Sequence, residues 1–255
     1  MPIGAIMRNI FLIIARFTAV KLLPRIPYPV LKGPLGGMKI IHGSFGGPSG
    51  GALVYFNLYE QKQTEEFLNH IEEGNIVFDI GANVGYYTLL SSRNIGVKGK
   101  VFSFEPLVRN LSYLYRHVEL NKLENVIILP VACSESSSFT TFSFGRNEAQ
   151  GYLVKNNWKG NFSFQLHTYV QTISIDEFVR NSGYIPHILK IDVEGAELLV
   201  LKGAKETFSS TKPKIFLSIH TAELEKKCIE YLKDFGYKFI LLDEKERPSV
   251  EYLCL

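Results

Sequence analysis

Residues 77–88, VFDIGANVGYYT, decide the fold: they combine an apolar strand, a carboxylate, a glycine turn and the start of a helix. Gly81 and Gly85 permit a tight turn and a close approach of the backbone to a ligand, and Asn83 tolerates a positive φ. In an open α/β sheet, ligands bind beyond the carboxyl ends of the strands. The stretch therefore predicts a small-molecule site directly after the first strand of a parallel sheet.

The composition of the turn narrows the choice of ligand. The turn lacks the Gly-x-Gly-x-x-Gly fingerprint of dinucleotide sites and the Gly-x-x-x-x-Gly-Lys-Ser/Thr phosphate loop. Asp79 disfavours a pyrophosphate and suits a ligand with positive charge. S-adenosylmethionine fits, because it carries an ammonium and a sulfonium and no phosphate. Glu105 ends the second strand about 20 residues after Gly85, where a carboxylate can accept hydrogen bonds from ribose hydroxyls; the alternative is that it opens the next helix.

From residue 60 onwards the chain alternates between strand and helix patterns. VIILPVA has the pattern of a third buried strand, and AELLVLKGAKETF that of one helix. Residues 136–145 and 167–174 alternate with a period of two, which predicts antiparallel strands. Repeated βα units predict a parallel sheet covered by helices, with right-handed crossovers. The last two strands have no helix between them and predict an antiparallel hairpin at one sheet edge.

The N-terminal part differs from the rest, and we predict an extension over residues 1–57 and a main domain over 58–255. Six Lys and Arg residues and no acid precede Glu60, so the net charge of +3 does not indicate a nucleic-acid-binding surface on the main domain. Residues 1–30 have uncharged runs too short to span a bilayer and no signal-peptide cleavage site. They predict a helix that lies on an anionic membrane surface or packs on protein. Residues 33–51, with eight glycines, predict loops and a flap.

Four stretches of the chain resemble, in order and spacing, the FkbM-type family of S-adenosylmethionine-dependent methyltransferases. They are VFDIGANVGYYTLL, FSFEP, ILKIDVEGAELLVLKGA and IFLSIH, and the similarity covers roughly residues 58–243. The most specific of them is Asp-Val-Glu-Gly-Ala-Glu after the fourth strand. The resemblance implies a class I methyltransferase (Rossmann-like) fold with a mostly parallel seven-stranded sheet. It also implies methylation of a hydroxyl on a sugar, glycan, lipid-linked saccharide or polyketide-like product.

The residues around the predicted strand ends form a candidate cofactor site. In the resembled family a Glu commonly occupies the place of Glu60, which would bind the ammonium or the substrate; N-capping of the next helix is the alternative. Adenine recognition is expected after the third strand, where Glu135 is the nearest acid. The predicted cofactor-binding set is Glu60, Asp79, Gly81, Asn83, Gly85, Glu105, Pro106, Ala132, Glu135 and Asp192.

Methyl transfer to a neutral hydroxyl benefits from a base, because the oxygen becomes acidic as it attacks. His220 ends the fifth strand and could take the proton at neutral pH; capping of the next helix or binding of substrate are the alternatives. Asp192 ends the fourth strand and could orient the acceptor, contact the methionine end of the cofactor or serve as the base. We predict His220 and Asp192 as the catalytic residues.

Further residues are candidates for binding the acceptor. Glu194 follows the fourth strand, although an acid at a helix start also compensates the helix dipole. Trp158 could stack on a sugar or apolar ring, with surface packing as the alternative. Several acids this close could hold a divalent cation, but no histidine or asparagine accompanies them at a suitable sequence spacing, so we predict no required metal.

The sequence therefore predicts an S-adenosylmethionine-dependent O-methyltransferase acting on a small-molecule or glycan acceptor, without nucleic acid. One alternative is a nucleotide (NAD)-dependent oxidoreductase or epimerase on a Rossmann-like fold, which the missing third glycine and Asp79 argue against. Another is a non-catalytic binding module with the same fold. Three scattered cysteines without metal-ligand spacing indicate a reducing compartment. We expect a cytoplasmic protein, with residues 1–30 available for peripheral membrane association, and predict no particular oligomeric state.

Overall fold

The computed structural model of the chain describes residues 23–45, 51–144, 151–153, 167–243 and 249–255. Three sheets and eight helices make up this part of the chain. The strands are β1 Pro27–Pro29, β2 Lys39–Ile41, β3 Ile76–Ile80, β4 Lys100–Phe104, β5 Val126–Leu129, β6 Ala132–Cys133, β7 Ser138–Phe144, β8 Gly151–Leu153, β9 His167–Ile173, β10 Ile188–Ile191, β11 Lys214–Ile219, β12 Phe239–Asp243 and β13 Val250–Cys254. The helices are α1 Ala52–Tyr55, α2 Gln61–His70, α3 Tyr86–Ile95, α4 Val108–Leu120, α5 Ile175–Ser182, α6 Glu197–Lys202, α7 Lys205–Ser210 and α8 Ala222–Lys233.

The central sheet has seven strands in the order β12-β13-β11-β10-β3-β4-β5. Strands β11, β10, β3, β4 and β5 pair in parallel, whereas β13 is antiparallel to both β11 and β12. The structure thus confirms the predicted mostly parallel sheet and its C-terminal antiparallel hairpin. Because the parallel strands point the same way, the residues that follow β3, β4, β10 and β11 meet at one edge.

Apolar residues on both faces of the sheet build two hydrophobic layers. Phe78, Phe104 and Leu189 face the layer that contains α5, α6, α7 and α8. Val77 and Ile188, one residue earlier in their strands, face the layer that contains α2 and α3. This alternation is what strands buried on both faces require, and each fully buried apolar side chain stabilises the fold by about 1.5–3 kcal/mol. Helices on both faces were predicted and are confirmed.

Two predicted elements are divided in the structure. The stretch VIILPVA ends its part in the central sheet at Leu129, and Ala132 begins β6, which belongs to a second sheet of order β6-β9-β7-β8. Pro130 explains the break, since proline has no N–H to donate to a ladder. The predicted helix AELLVLKGAKETF is two short helices, α6 and α7, that meet at Gly203. A Cβ there would lie 2.1 Å from the carbonyl oxygen of Ser134.

The N-terminal segment packs on the main domain where the structure describes it. Strands β1 and β2 form an antiparallel pair, and Val30, Leu35 and Ile40 belong to the same buried cluster as α3. Part of the predicted loop over residues 33–51 is therefore a strand with buried side chains. The predicted helix and membrane contact at the N-terminus fall mostly outside the described residues, and the boundary at residue 57 stays a prediction. No helix in the described ranges is long and apolar enough to cross a membrane.

Candidate functional site

The glycine turn after β3 has the backbone conformation expected from its sequence. Gly81, Asn83 and Gly85 have positive φ values of 80°, 52° and 98°. A Cβ on Gly81 would lie 1.9 Å from the carbonyl oxygen of Asp192, and one on Gly85 would lie 2.6 Å from Cδ1 of Leu114. Glycine is therefore required at both positions for the φ angle and for packing against neighbouring protein atoms.

Glu105 closes the turn from the end of the neighbouring strand. Its Oε2 accepts a hydrogen bond from the Asn83 N–H at 2.8 Å, and its Oε1 accepts from the Leu107 N–H at 2.8 Å and the Asn110 amide at 3.3 Å. Burial raises the pKa of Glu105, and these hydrogen bonds lower it only in part, so that it stands at about 7. Ionised Glu105 thus stabilises the glycine turn through the Asn83 N–H, and this requires a charge that is buried.

The side chain of Asp79 is more deeply buried than expected for a residue whose carboxylate faces a ligand. Its carboxylate is 2% exposed and accepts a hydrogen bond from the Thr88 hydroxyl of α3 at 2.5 Å. Burial raises the pKa of Asp79 to about 6, against the effects of Thr88 and of the nearby Lys190 ammonium. The predicted contact between Asp79 and a cationic ligand stays a prediction; in the structure its partner is the helix that follows the turn.

Four side chains from two strand ends meet at the same sheet edge, and we name this group the acceptor cluster: Asp192, Glu194, Glu197 and His220. His220 Nε2 lies 3.5 Å from Asp192 Oδ1 and 3.3 Å from Glu194 Oε2. His220 Nδ1 lies 2.7 Å from Glu197 Oε1. The two residues predicted as catalytic are therefore neighbours, and one predicted substrate-binding residue joins them.

The charges around His220 determine its protonation. Burial lowers the pKa of the ring, but the hydrogen bond to Glu197 and the charges of Asp192 and Glu194 outweigh burial and raise the pKa to about 9. The imidazolium is therefore the form at neutral pH, whereas a base must start as the neutral ring. The alternative in which His220 caps the next helix is wrong, because Thr221 is the N-cap residue and its hydroxyl accepts from the Leu224 N–H.

The loop Asp192–Ala196 is shaped by unusual backbone angles. Glu194 has φ 51°, a left-handed conformation that costs a non-glycine residue of order 1–3 kcal/mol, and Gly195 has φ 103°. Glu197 is fully buried at the start of α6, and its Oε1 also accepts from the Gly195 N–H at 2.8 Å. The Glu197 carboxylate therefore holds both the loop and the His220 ring in place.

Glu60 lies on the other side of the sheet edge. It has φ 43° and is nearly buried, and its Oε2 accepts a hydrogen bond from the Tyr87 hydroxyl at 2.8 Å. Glu60 occupies the N-cap position of α2, as the alternative predicted, but its side chain makes no capping hydrogen bond. Its predicted contact with the cofactor or substrate stays a prediction.

A family model described as the methyltransferase FkbM domain matches residues 79–239. The chain belongs to this methyltransferase family. The match spans the glycine turn, Glu105 and the acceptor cluster, and it confirms the resemblance found in the sequence. It also confirms the S-adenosylmethionine-dependent methyltransferase class over the NAD-dependent alternative.

Two individual proteins, one compared by sequence and one by structure, show how similar this chain is to other methyltransferases. The hexuronic acid methyltransferase AglP of Haloferax volcanii is 29% identical over 177 residues, which are 69% of this chain and 68% of that protein. The crystal structure of an FkbM methyltransferase from Methylobacillus flagellatus superposes with a TM-score of 0.52 at 17% identity. The superposition covers 98% of this chain but 60% of that protein, less than two thirds of its length, and it shows the class I fold alone.

The chemistry of the FkbM turn fits the family's cofactor. A carboxylate offers about four lone-pair sites, and Glu105 uses three of them on Asn83, Leu107 and Asn110. One lone-pair site of this buried carboxylate is left over by these three hydrogen bonds, and its contact with a ribose hydroxyl stays a prediction. The carboxylates of Asp79 and Glu60 add negative charge near the turn, which suits an ammonium or sulfonium.

The remaining predicted residues lie less centrally or outside the described ranges. Pro106 follows Glu105 in the loop before α4, and Ala132 is buried in β6. Glu135 is exposed and near enough to α8 to contribute to the raised pKa of Tyr231. Trp158 lies outside the described residues. Adenine recognition and aromatic stacking on the acceptor therefore stay predictions.

Sequence reasoning missed a buried polar row on the α2–α3 face of the sheet. The row lies one layer beyond Val77 and Ile188 towards the carboxyl edge, and all its members are buried. It consists of Ser103, Asp79 and Lys190, and it continues one layer further towards that edge with Ser218 of β11 and Glu251 of β13. The available signal was a lysine inside the apolar strand sequence ILKI, since lysine is almost never fully buried unless it is paired.

Sequence reasoning also missed His117 of α4. Its Nε2 accepts from the Ile41 N–H at 2.9 Å, so the proton is on Nδ1, which donates to the Val84 carbonyl at 2.7 Å. Burial lowers the pKa of His117 to about 4, and the ring is neutral. A neutral histidine therefore connects the glycine turn to the N-terminal strand β2.

The prediction that no metal is required depended on the absence of a nearby histidine. The structure brings His220 to Asp192 and Glu194, and one donor atom from each lies within 4.8 Å of the others. Exposed acidic groups commonly lie this close without an ion, and the protonated His220 ring itself supplies positive charge. Metal independence stays a prediction.

Proposed function

We propose that the protein transfers a methyl group from S-adenosylmethionine to a hydroxyl of a saccharide or glycolipid. The observation that carries the proposal is the contact between the glycine turn and the acceptor cluster. A Cβ on Gly81 would overlap the carbonyl oxygen of Asp192, so the two backbones touch. A cofactor bound on the turn and an acceptor bound on the cluster would therefore be neighbours.

The residues of the turn would hold the cofactor. The fourth lone-pair site of Glu105 would accept from a ribose hydroxyl, and the acidic groups Asp79 and Glu60 suit the positively charged amino-acid end of the cofactor. When bound, S-adenosylmethionine supplies an electrophilic methyl group on a good leaving group. The protein then has to place the acceptor oxygen next to it, and such orientation can contribute several kcal/mol, about 7–11 in the best cases.

The acceptor cluster would hold the hydroxyl and take its proton. Asp192 and Glu194 are each about one-third exposed, so their oxygens are open to an incoming hydroxyl. His220 is protonated at neutral pH, which leaves the proton to the adjacent carboxylate of Asp192. Glu197 holds the His220 ring in place from the buried side. In this assignment Asp192 is the base and His220 steadies it.

A saccharide acceptor is supported by the side chains and by one relative. Carboxylates at the mouth of a site accept hydrogen bonds from the hydroxyl groups that sugars present in number. The name of AglP states that it methylates hexuronic acid. We infer an acceptor of the same broad class, with the hydroxyl rather than the carboxyl as the reacting group, because a sugar carboxylate would meet the like charges of Asp192 and Glu194.

The test is methyl transfer from methyl-labelled S-adenosylmethionine to a panel of neutral and acidic oligosaccharides and glycolipids. We expect labelled product that keeps its label in mild base, as a methyl ether does. Label released by mild base would show a methyl ester and contradict transfer to a hydroxyl. Cofactor binding without transfer to any acceptor would favour the non-catalytic module.

A further inference from the structure

Lys190 is a charged residue in the centre of the sheet. Its side chain is 2% exposed, in a strand whose other residues are all apolar. A buried ammonium costs several kcal/mol unless it is paired. The surroundings of Lys190 therefore show what the charge is used for.

Three polar groups surround the Lys190 ammonium. Its Nζ donates to the Ser218 hydroxyl at 2.5 Å and lies 3.8 Å from Asp192 Oδ2 and 3.9 Å from Glu251 Oε2. It also lies 5.1 Å from the ring centre of Tyr87, within the range of a cation–π contact. The Lys190 ammonium thus lies between Glu251 of the C-terminal strand β13 and Asp192 of the acceptor cluster.

Asp192 lies between two cations, with one oxygen facing each. Oδ2 faces Lys190, and Oδ1 faces His220 at 3.5 Å. Both separations exceed the 2.7–3.2 Å of an N–H···O hydrogen bond, so the cations act mainly through charge. The lone pairs of Asp192 stay available to an acceptor hydroxyl on the exposed side.

We propose that Lys190 is a positioning residue whose buried ammonium keeps Asp192 ionised and oriented towards the acceptor. This inference rests on the proposed function, in which Asp192 takes the proton of the acceptor hydroxyl. Glu251 competes with Asp192 for the same ammonium, because the two carboxylates lie at nearly equal distances from Nζ.

The charges around both groups give the expected directions. Lys190 is faced by four acids, which are Asp79 of β3, Glu60 before α2, Glu251 of β13 and Asp192, and by the aromatic ring of Tyr87 in α3. Asp192 is faced by the same ammonium, His220, Glu251 and Glu194. Burial raises the pKa of Asp192, Lys190 and His220 lower it, and Glu251 raises it again.

Removal of the Lys190 charge and removal of the Glu251 charge should therefore shift the pKa of Asp192 in opposite directions. Lys190→Met removes the largest lowering charge, and we expect the pKa of Asp192 to rise by about 1–3 units, the effect typical of a close charge. Glu251→Gln keeps the shape and removes a raising charge, so the pKa should fall. Lys190→Arg keeps the charge and should restore the acid limb of the pH–rate profile towards that of the wild type.

The experiment measures Asp192 directly and the reaction separately. The carboxyl carbon of Asp192 is titrated by NMR in protein with ¹³C-labelled aspartate and assigned by its loss in Asp192→Asn. The pH dependence of kcat is measured on the same variants, with KM for the acceptor. We expect Lys190→Met to lower kcat tenfold or more at a pH below its shifted acid limb, with a smaller change in cofactor affinity.

Two outcomes would overturn the proposal: an unmoved Asp192 titration in Glu251→Gln, or shifts in the same direction in the two variants. If Lys190→Met does not fold, Glu251→Gln alone decides. The expected fall in the pKa of Asp192 in that variant is not a result that general destabilisation of the protein would produce. Failure of methyl transfer to any acceptor would contradict the proposed function. The effect of Lys190 on the titration of Asp192 could still be measured, because the NMR experiment needs no acceptor.

Discussion

The two halves of the site are built in opposite ways. The glycine turn with Glu105 is held mainly by backbone groups and by glycines that no side chain could replace. The acceptor cluster is held by side chains from two separate strand ends, with Glu194 in a strained conformation. A rigid backbone cradle suits a cofactor of fixed shape, whereas a cluster of charged side chains suits an acceptor and its proton.

The two halves also differ in what governs protonation. At the turn, burial dominates and raises the pKa of Asp79 to about 6 and that of Glu105 to about 7. At His220 of the cluster, the neighbouring carboxylates outweigh burial and raise the pKa of the ring to about 9. Negative charge is therefore costly at the turn, whereas the positive charge of His220 is stabilised in the cluster, and each half gives its own testable prediction.

The largest expected effect is that of His220→Ala on turnover. We expect kcat at neutral pH to fall by about 10²-fold or more, with the dissociation constant of S-adenosylmethionine unchanged, because the ring steadies Asp192 and does not touch the turn. Steady-state kinetics and calorimetry measure the two quantities. His70→Ala, at the far end of α2, is the matched control and should leave kcat unchanged.

The pH–rate profile of the wild type separates the two roles of His220. An imidazolium that steadies Asp192 is lost as the pH rises through about 9, so activity should fall there. A neutral ring that takes the proton would instead make activity rise up to about the same pH. A rising limb would return the role of base to His220, as the sequence first suggested.

Most of the fold was predictable because its signals are local. The apolar strands, the helix patterns and the glycine turn each lie within a short stretch of chain, and the family resemblance joined them in order. The division of VIILPVA at Pro130 was also visible locally. The association of β6 with β9 was not, because it depends on residues 40 positions apart in the chain that pair only in the folded state.

The site was predictable in its members and not in its contacts. His220, Asp192 and Glu194 could be placed at one sheet edge from the strand order, but their distances depend on the loop angles at Glu194 and Gly195. The prediction of no metal illustrates this limit, since sequence spacing hid a histidine that lies 3.3 Å from Glu194. Lys190 was overlooked because a single charged residue in the sequence ILKI still leaves the pattern of a buried apolar strand.

At the turn, Glu105→Gln should weaken cofactor binding by about 10–100-fold, the effect of losing a hydrogen bond to a charged group. The reason is geometric: the amide NH2 of Gln would face an N–H donor, either that of Asn83 or that of Leu107. Turnover at saturating cofactor should change far less. Glu119→Gln, an exposed acid in the last turn of α4, is the matched control and should leave the affinity for the cofactor unchanged.

Asp79→Asn tests the cost of buried charge at the turn. Because the pKa of Asp79 is raised in the folded state, its favourable contribution to stability is full below about pH 4 and is lost as the pH rises through about 6. The Asn variant escapes that loss and can still accept from Thr88. We expect it to be more stable by about 2 kcal/mol at pH 8, with the difference vanishing near pH 4.

Urea unfolding of both proteins across this pH range measures the difference. A variant that is less stable than the wild type at pH 8 would show that the ammonium of Lys190 more than offsets the burial of Asp79. The same measurement on His220→Ala should instead show a variant that is less stable than the wild type at low pH, with a difference that shrinks as the pH rises. The stability that His220 contributes is present below about pH 6.5 and lost as the pH rises through about 9, because its pKa is raised by partners that exist only in the folded state.

The smallest expected effect is that of a chelator on methyl transfer. The protonated His220 ring already places a positive charge among Asp192, Glu194 and Glu197, which is the charge that a bound cation would otherwise supply. The rate should therefore be unchanged after dialysis against EDTA, and added Mg²⁺ or Mn²⁺ should not raise it. A rate that disappears with EDTA and returns with either ion would show that the cluster works through a metal, with His220 neutral, and would remove the contrast in protonation between the two halves of the site.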